Sequence, residues 1–157
     1  MGALDEIDQP LYSTGVNRTG KPASGPDMMF QVIAAGHTLE ARLEEVLEKV
    51  GLSLAWYGVL SHLADAKEPL ALSALAARIN CVRSNVTQLV DRLESEGLVR
   101  REDDPDDRRS IRAALTPLGR ERQRSGEKQL EAVQAAFSGA LSDTDRDALG
   151  RAVSALK

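Results

Sequence analysis

Apolar residues recur every three or four positions through most of this chain, which is the rhythm of helices that bury one side. Between Leu72 and Thr116 the rhythm changes twice. Leu75, Ala76 and Ile79 share one side of a short helix, with Ser73 as a suitable N-cap. Asn80 follows, a residue tolerant of positive φ, where a tight turn is expected. A second helix places Val86, Leu89, Val90 and Leu93 at i, i+3, i+4 and i+7, and Gly97 is its natural stop. The pattern then shortens to strands. Leu98, Val99 and Arg100 lead into the turn-forming run Asp103-Asp104-Pro105-Asp106-Asp107, Arg108 and Arg109 stand at the tip, and Ile111 to Thr116 returns. Thr116-Pro117 then opens a new helix, with Thr as N-cap and Pro at its first position. Two short helices followed by a charged hairpin make a winged helix-turn-helix.

Long helical segments flank this core. Asp27 is the expected cap of one that carries Met28, Met29, Val32, Ile33, Leu39, Leu43, Val46, Leu47 and Val50 and stops at Gly51. Its early turns are apolar on more than one side. Ser53 caps another, bearing Leu54, Trp56, Val59, Leu60 and Leu63. Beyond the hairpin a helix runs from Pro117 towards Ser138, and Ser142 with Asp145 resembles a capping box ahead of Leu149, Val153 and Leu156. The organisation predicted is a flexible arm at 1–26 and a single domain at 27–157. Its winged core lies at about 53–116, with dimerisation helices at about 27–51 and 117–157. The fold class is mainly α. One small domain cannot cover all the apolar faces of these outer helices, so they are expected to interlock with a second copy.

Composition agrees with a helical core, because the aromatic residues are only Tyr12, Phe30, Trp56, Tyr57 and Phe137. No apolar run approaches the roughly 20 residues of a membrane span. The start of the chain lacks a basic stretch leading into an apolar one, so no secretion signal is expected. The single Cys81 excludes an internal disulfide and fits a reducing, cytoplasmic location. Net charge is −4, which does not advertise a nucleic-acid partner, so the distribution has to decide. Arg78, Arg83, Arg92, Arg100, Arg101, Arg108, Arg109 and Arg112 crowd the central stretch, balanced by Asp91, Glu94, Glu96, Glu102, Asp103, Asp104, Asp106 and Asp107. Any DNA binding must rest on placed arginines rather than a bulk positive field.

The polar side of the second short helix carries Arg83, Ser84, Asn85, Thr87, Gln88, Asp91 and Arg92. A solvated surface explains such a row equally well. It also holds the groups that read bases: Arg for guanine, Asn and Gln for adenine, a Thr methyl for thymine. Arginines on a protruding ribbon suit a narrow, electronegative minor groove. An acid beside them, Asp107, can orient one through a carboxylate–guanidinium pair.

The run SNVTQLVDRLESEGLVRREDDPDDRRSIRAALTPLGRE resembles the MarR family of bacterial transcription regulators. LVDRLE, EGLV, DDRR and LTPLG follow one another in that family's order and spacing, clearest over Leu72 to Glu121. The resemblance implies a homodimer that binds double-stranded DNA, acts as a repressor at a pseudo-palindromic operator, and is relieved by a small aromatic or anionic ligand. By position it assigns Arg83, Ser84, Asn85, Thr87, Gln88 and Arg92 to the helix contacts, Arg108 and Arg109 to the wing contact, and Asp107 to its support. It implies an effector cleft whose candidates here are His37 and Arg42 with Trp56, Tyr57 and His62, although a Trp in such a place is more often core and the two His are more often surface or hydrogen-bonded. Two departures stand out. Asn80 replaces the usual Gly in the turn, and Val82 replaces the usual Ser or Thr cap. Because Val cannot cap, the helix is expected to begin later, with Ser84 as its cap.

Other chemistry fits poorly. Cys81, just before the second helix, is a candidate for oxidant sensing, although this position is more often a small packing residue. Gly15 to Lys21 fits most of a phosphate-binding loop, but Pro22 stands where a magnesium-binding hydroxyl is required. Asn17-Arg18-Thr19 is a glycosylation sequon with no meaning outside the secretory pathway. His37 and His62 are isolated, and the acidic hairpin lacks the spacing of a calcium loop, so no metal or cofactor is expected. No nucleophile or acid–base arrangement has recognisable spacing, so no catalytic residue is assigned and the chain is read as a non-enzyme. The reading is a dimeric DNA-binding regulator. The alternative is a winged-helix protein-interaction module that does not bind DNA.

Overall fold

The computed structural model describes residues 25–79, 83–105, 107 and 110–155, with backbone alone for Gly25, Pro26 and Arg83. The expectations for the arm at 1–26, including the Gly15–Lys21 loop, lie almost wholly outside these residues. Those for Asn80, Cys81 and Val82, and for Arg108 and Arg109, lie outside them as well. The elements in order are α1 (Gly25–Glu48), α2 (Leu54–Asp65), β1 (Leu70–Ala71), α3 (Leu72–Arg78), α4 (Arg83–Ser95), β2 (Val99–Asp103), β3 (Ile111–Leu115), α5 (Pro117–Gly139) and α6 (Asp143–Ala155). The fold is mainly helical, with a winged helix-turn-helix at its centre.

The chain divides into two compact units, residues 1–42 and 43–157. In the first, the described part of α1 exposes Met28, Met29, Phe30, Val32 and Ile33. In the second, one hydrophobic core forms around Leu47, Leu52, Val59, Leu60, Leu63, Leu75, Val86, Val90, Leu93, Leu98, Val99, Ala113 and Leu130. Each such Leu or Val removed from water contributes roughly 1.5–3 kcal/mol. Two helices end in matching ways. Gly51 and Gly97 have φ of 67° and 68°, the left-handed conformation that glycine adopts without a Cβ penalty. The Gly97 amide donates to Glu94 O and the Leu98 amide to Leu93 O, both at 2.9 Å. The Gly51 amide donates to Glu48 O at 2.9 Å and the Leu52 amide to Leu47 O at 3.1 Å. Both are Schellman closures, and each turns an apolar residue, Leu52 or Leu98, back into the core.

Three helix starts match their predicted caps. Ser53 Oγ accepts from the Trp56 amide at 3.1 Å, and Thr116 Oγ1 from the Gly119 amide at 2.9 Å, with Pro117 following. Ser142 Oγ accepts from the Asp145 amide at 3.2 Å and donates to Asp145 Oδ2 at 2.6 Å. The hydroxyl bond first, and second a bond from the Ser142 amide to Asp145 Oδ2 at 3.3 Å, lower the Asp145 pKa. Two of the expected caps fail here, and Ser84 fails at α4. α1 begins at Gly25, so Asp27 lies in its first turn, where its charge still suits the helix dipole. Ser73 lies inside α3, whose cap position is Ala71, with no side-chain bond. The reason is a strand that periodicity could not reveal. Leu70 and Ala71 form β1, which pairs antiparallel with β3 through Leu70↔Ala113 and Ala71↔Arg112 and runs straight into α3.

The sheet order is β1-β3-β2, and β2 meets β3 in the register Val99↔Leu115 to Asp103↔Ile111. The hairpin therefore stands on a third strand beside α3. α5 leaves the sheet through a tight junction. The Thr116 amide donates to Leu98 O at 3.1 Å, and Thr116 Oγ1 donates to Gly97 O at 2.7 Å. A Cβ on Gly119 would lie 1.9 Å from Leu98 O, and one on Gly126 would lie 2.8 Å from Tyr57 Cδ2. Both positions admit only a hydrogen, so α5 rides directly on the end of α4 and on α2. Gly119→Ala is therefore expected to destabilise the protein by about 3 kcal/mol or more, as overpacking against backbone does. Urea unfolding measures this; a loss below about 1 kcal/mol, the low end for overpacking, would show that the junction has slack.

Candidate nucleic-acid interface

α4 has one dry side and one wet side. Val86, Val90 and Leu93 are fully buried, and Leu89 packs partly against the same core. Their burial turns Ser84, Asn85, Gln88, Asp91 and Arg92 outward. Ser84, Asn85, Gln88, Asp91 and Arg92 are exposed. Thr87 is half-buried at the edge. Arg83 begins the helix. Ser84 is thus not the cap: the helix starts one residue earlier, and Ser84 sits exposed in its first turn. The five outward side chains come from three consecutive turns, and the N-terminal ones are those a recognition helix presents to bases.

The hairpin beside it is held by charge pairs that sequence reasoning had counted only as a sum. Arg112 forms a two-pronged bond to Asp104, Nε to Oδ2 and Nη2 to Oδ1, both at 2.8 Å. Asp104 is 8% exposed, so its charge needs that partner. Above the pair the Asp104 amide donates to Ser110 O at 3.1 Å, and the Ser110 amide to Asp107 O at 2.8 Å, which closes the tip. Asp107 itself is exposed, and the arginines it was expected to orient lie outside the described residues. Arg100 Nε donates to Glu102 Oε1 at 2.6 Å on the outer side of β2. Arg101 turns the other way and pairs with Glu94 and Asp91 of α4. Arg100, Arg101 and Arg112 therefore serve the fold, and they answer Asp91, Glu94, Glu102 and Asp104 among the surrounding acids.

Arg101, Asp104 and Arg112 were missed as functional supports. One signal was available. Strand residues two apart share a side, so Arg101 shares the inward side of Val99, and an inward arginine needs acids nearby.

The candidate effector residues divide. Trp56 and Tyr57 pack on the core, Tyr57 across Gly126. His62 is half-buried on α2. His37 and Arg42 belong to the first unit, with His37 exposed on α1. A depression of about 430 Å³ lies along α5, lined by Pro117, Arg120, Glu121, Arg124, Ser125 and Lys128, and includes none of the five. Among the described residues no three His, Cys, Asp or Glu side chains come together as metal ligands.

Comparison with known proteins agrees with this geometry. A model of the MarR family matches residues 50–110, from the end of α1 to the tip of the wing. Over that stretch the chain is similar to the MarR family. It is 33% identical over 99 residues to a putative transcriptional regulatory protein for the hcr operon of Thauera aromatica, a match that covers 63% of this chain and 59% of that protein. CouR from Rhodococcus jostii RHA1, whose structure holds p-coumaroyl-CoA, superposes with a TM-score of 0.74 at 26% identity, over 87% of this chain and 95% of that one. A cysteine-to-serine mutant of MarR from E. coli, complexed with operator DNA, superposes with a TM-score of 0.76 over 82% of this chain and 92% of that one. At 18% identity that likeness speaks for the fold alone. The chain spans under two thirds of the length of the curated relatives it matches.

The Asp104–Arg112 pair gives the wing a direct test. Arg112→Met removes a two-pronged partner from a nearly buried carboxylate, so the protein is expected to lose roughly 1–3 kcal/mol, with part of the loss recovered in Arg112→Met/Asp104→Asn. Chemical denaturation of the two variants checks it. Equal stability of all forms would mean the pair holds nothing.

Proposed function

We propose that this protein is a sequence-specific, DNA-binding transcriptional regulator, in which α4 enters the major groove and the wing lies against the flanking minor groove. The observation that carries the reading is the sidedness of α4. Its apolar ridge is fully buried, which leaves Ser84, Asn85, Gln88 and Arg92 pointing away from the core. Arg83, Thr87 and the wing-tip pair Arg108 and Arg109, with Asp107 as their support, complete the proposed contact set. The pairing of Arg100, Arg101 and Arg112 with local acids also answers the acidic composition of the wing: much of that negative charge is neutralised inside the protein rather than aimed at phosphates. The remaining contacts are few, so binding is expected to be specific and to fall with salt.

The working form in this proposal is a homodimer acting as a repressor at a pseudo-palindromic operator, in the cytoplasm and without enzymatic activity. Met28, Met29, Phe30, Val32 and Ile33 in one unit, and Phe137, Leu149 and Val153 in the other, are large apolar side chains left exposed. Burying them against a second chain is the ordinary way to satisfy such faces. A two-fold pair would set two copies of α4 about one DNA turn apart, ~34 Å. The effector class that goes with this reading is a small aromatic or anionic acid, free or as a thioester of the kind bound by CouR. Such a ligand releases DNA only if it binds the DNA-incompetent arrangement more tightly.

The test is selection of genomic duplexes by the purified protein, followed by titration of the selected sequence. Two protomers per duplex are expected, and p-coumarate or its CoA thioester is then added as a release probe. Asn85→Ala and Gln88→Ala should relax base preference at single positions in each half-site, at ~1–3 kcal/mol per lost bidentate contact, with the fold intact. Failure of the wild-type protein to select any duplex at low salt would instead support a winged-helix module whose partner is a protein.

A further inference from the structure

The recognition helix and the wing are separate levers, and in this protein one side chain ties them together. The Arg101 backbone amide donates to Glu94 Oε1 at 3.2 Å, and its Nη1 donates to Glu94 Oε2 at 3.1 Å. Its Nη2 donates to Asp91 Oδ1 and, at 3.4 Å, to Thr87 O. The three acceptor residues, 87, 91 and 94, form one ridge along two turns of α4. Arg101 is thus a single β2 residue that grips α4 along its length, and its side chain is only 27% exposed. A planar guanidinium with several fixed donors suits such a grip, and a lysine does not reproduce it.

We propose that Arg101 is a positioning residue that sets the angle between α4 and the wing, so that major-groove and minor-groove contacts are made together. This rests on the DNA-binding reading above.

The geometry explains why an angle needs setting. From Arg101 through the end of β2 to Asp104 the chain extends about 10 Å at roughly 3.3 Å per residue. A rotation of ~20° at its root would move that end by ~3 Å, about half the ~6 Å width of a minor groove. The β2–β3 ladder and the Asp104–Arg112 pair stiffen the hairpin within itself. The α4–β2 connection is the Schellman closure at Gly97, which fixes where the strand begins. The grip of Arg101 lies beyond that pivot, where a bond resists rotation best. Asp91 and Glu94 have a second consequence. At 52% and 39% exposure, they sit beside the proposed reading face. Without Arg101 they would add two negative charges there, so charge and angle must be separated by experiment.

The test compares the wild-type protein with Arg101→Met, Arg101→Lys and the triple variant Arg101→Met/Asp91→Asn/Glu94→Gln, which removes the exposed charges without restoring the grip. Two footprints are read on the duplex selected by the wild-type protein: guanine N7 methylation for the major groove and hydroxyl-radical cleavage for the minor groove. The expected result is an affinity loss of about tenfold or more for all three variants, with N7 protection retained at saturating protein and minor-groove protection lost in the flanks. If both footprints persist, or both fade together, or the triple variant regains wild-type minor-groove protection, the proposal is overturned. Hydrogen exchange of the free protein supplies a readout that needs no DNA. The amide of residue 101, which donates to Glu94 Oε1 across the joint between the wing and α4, should exchange at least about tenfold faster in Arg101→Met while those of α4 stay protected; unchanged exchange there overturns the proposal. If Arg101→Met does not fold, Glu94→Gln loosens the same grip from the helix side and is read in the same way. If the wild-type protein selects no duplex, the DNA-binding reading is the part that fails, and the exchange result still decides whether Arg101 sets the angle.

Discussion

Burial of the Val86–Val90–Leu93 ridge is the constraint on which the rest of this structure depends. With those three side chains withdrawn from water, α4 cannot rotate about its axis, because each step of rotation would expose apolar surface at roughly 25 cal/mol per Å². The orientation of every polar residue on the helix follows from it. The core that receives the ridge is assembled from α2, α3, the sheet and α5, so each of these elements acts on the reading face without touching it. The two Schellman closures and the Thr116–Gly119 junction serve the same end. They fix where chains leave helices, and so where α5 and the wing can stand.

Charge plays an unexpected part. The arginines and acids of the central stretch look self-cancelling as a sum, and a self-cancelling stretch is a poor advertisement for a polyanionic partner. The structure resolves the sum into pairs. Arg112 with Asp104 holds the root of the wing tip, Arg100 with Glu102 lines the outer strand, and Arg101 joins the wing to α4. Several acids that seemed hostile to DNA are the counter-charges of structural arginines. A family of proteins that projects a thin ribbon needs that ribbon stiff, and short charge-assisted bonds with fixed geometry stiffen it in a way a few exposed apolar contacts cannot.

Much of the architecture was legible beforehand, for identifiable reasons. Helices with a 3.6-residue apolar period announce themselves, and so do Gly97 and Thr116-Pro117, because each residue type answers a specific backbone need. The proposed reading face was legible for the same reason: once Val86, Val90 and Leu93 are assigned inward, the polar residues between them have one place to go. What escaped was non-local. The two residues of β1 are too short to show a period, and they became a strand only because β3 lies beside them. Ser73 reads as a cap because the sequence does not show that Ala71 belongs to a sheet. Ser84 reads as a cap because Val82 cannot be one. The tight approach at Gly119 and the partners of Arg101 depend on which elements meet, and spacing along the chain does not record that. Trp56 and Tyr57 illustrate the converse: residues singled out for ligand chemistry that pack on the core.

The most direct test of the account follows backbone amide shifts by NMR while the protein is titrated with its selected duplex. The account predicts that the largest changes fall on Ser84, Asn85 and Gln88 of α4 and on the wing tip, while Val86, Val90 and Leu93 stay protected from exchange. Changes centred on α5 or α6, with α4 unperturbed, would contradict it.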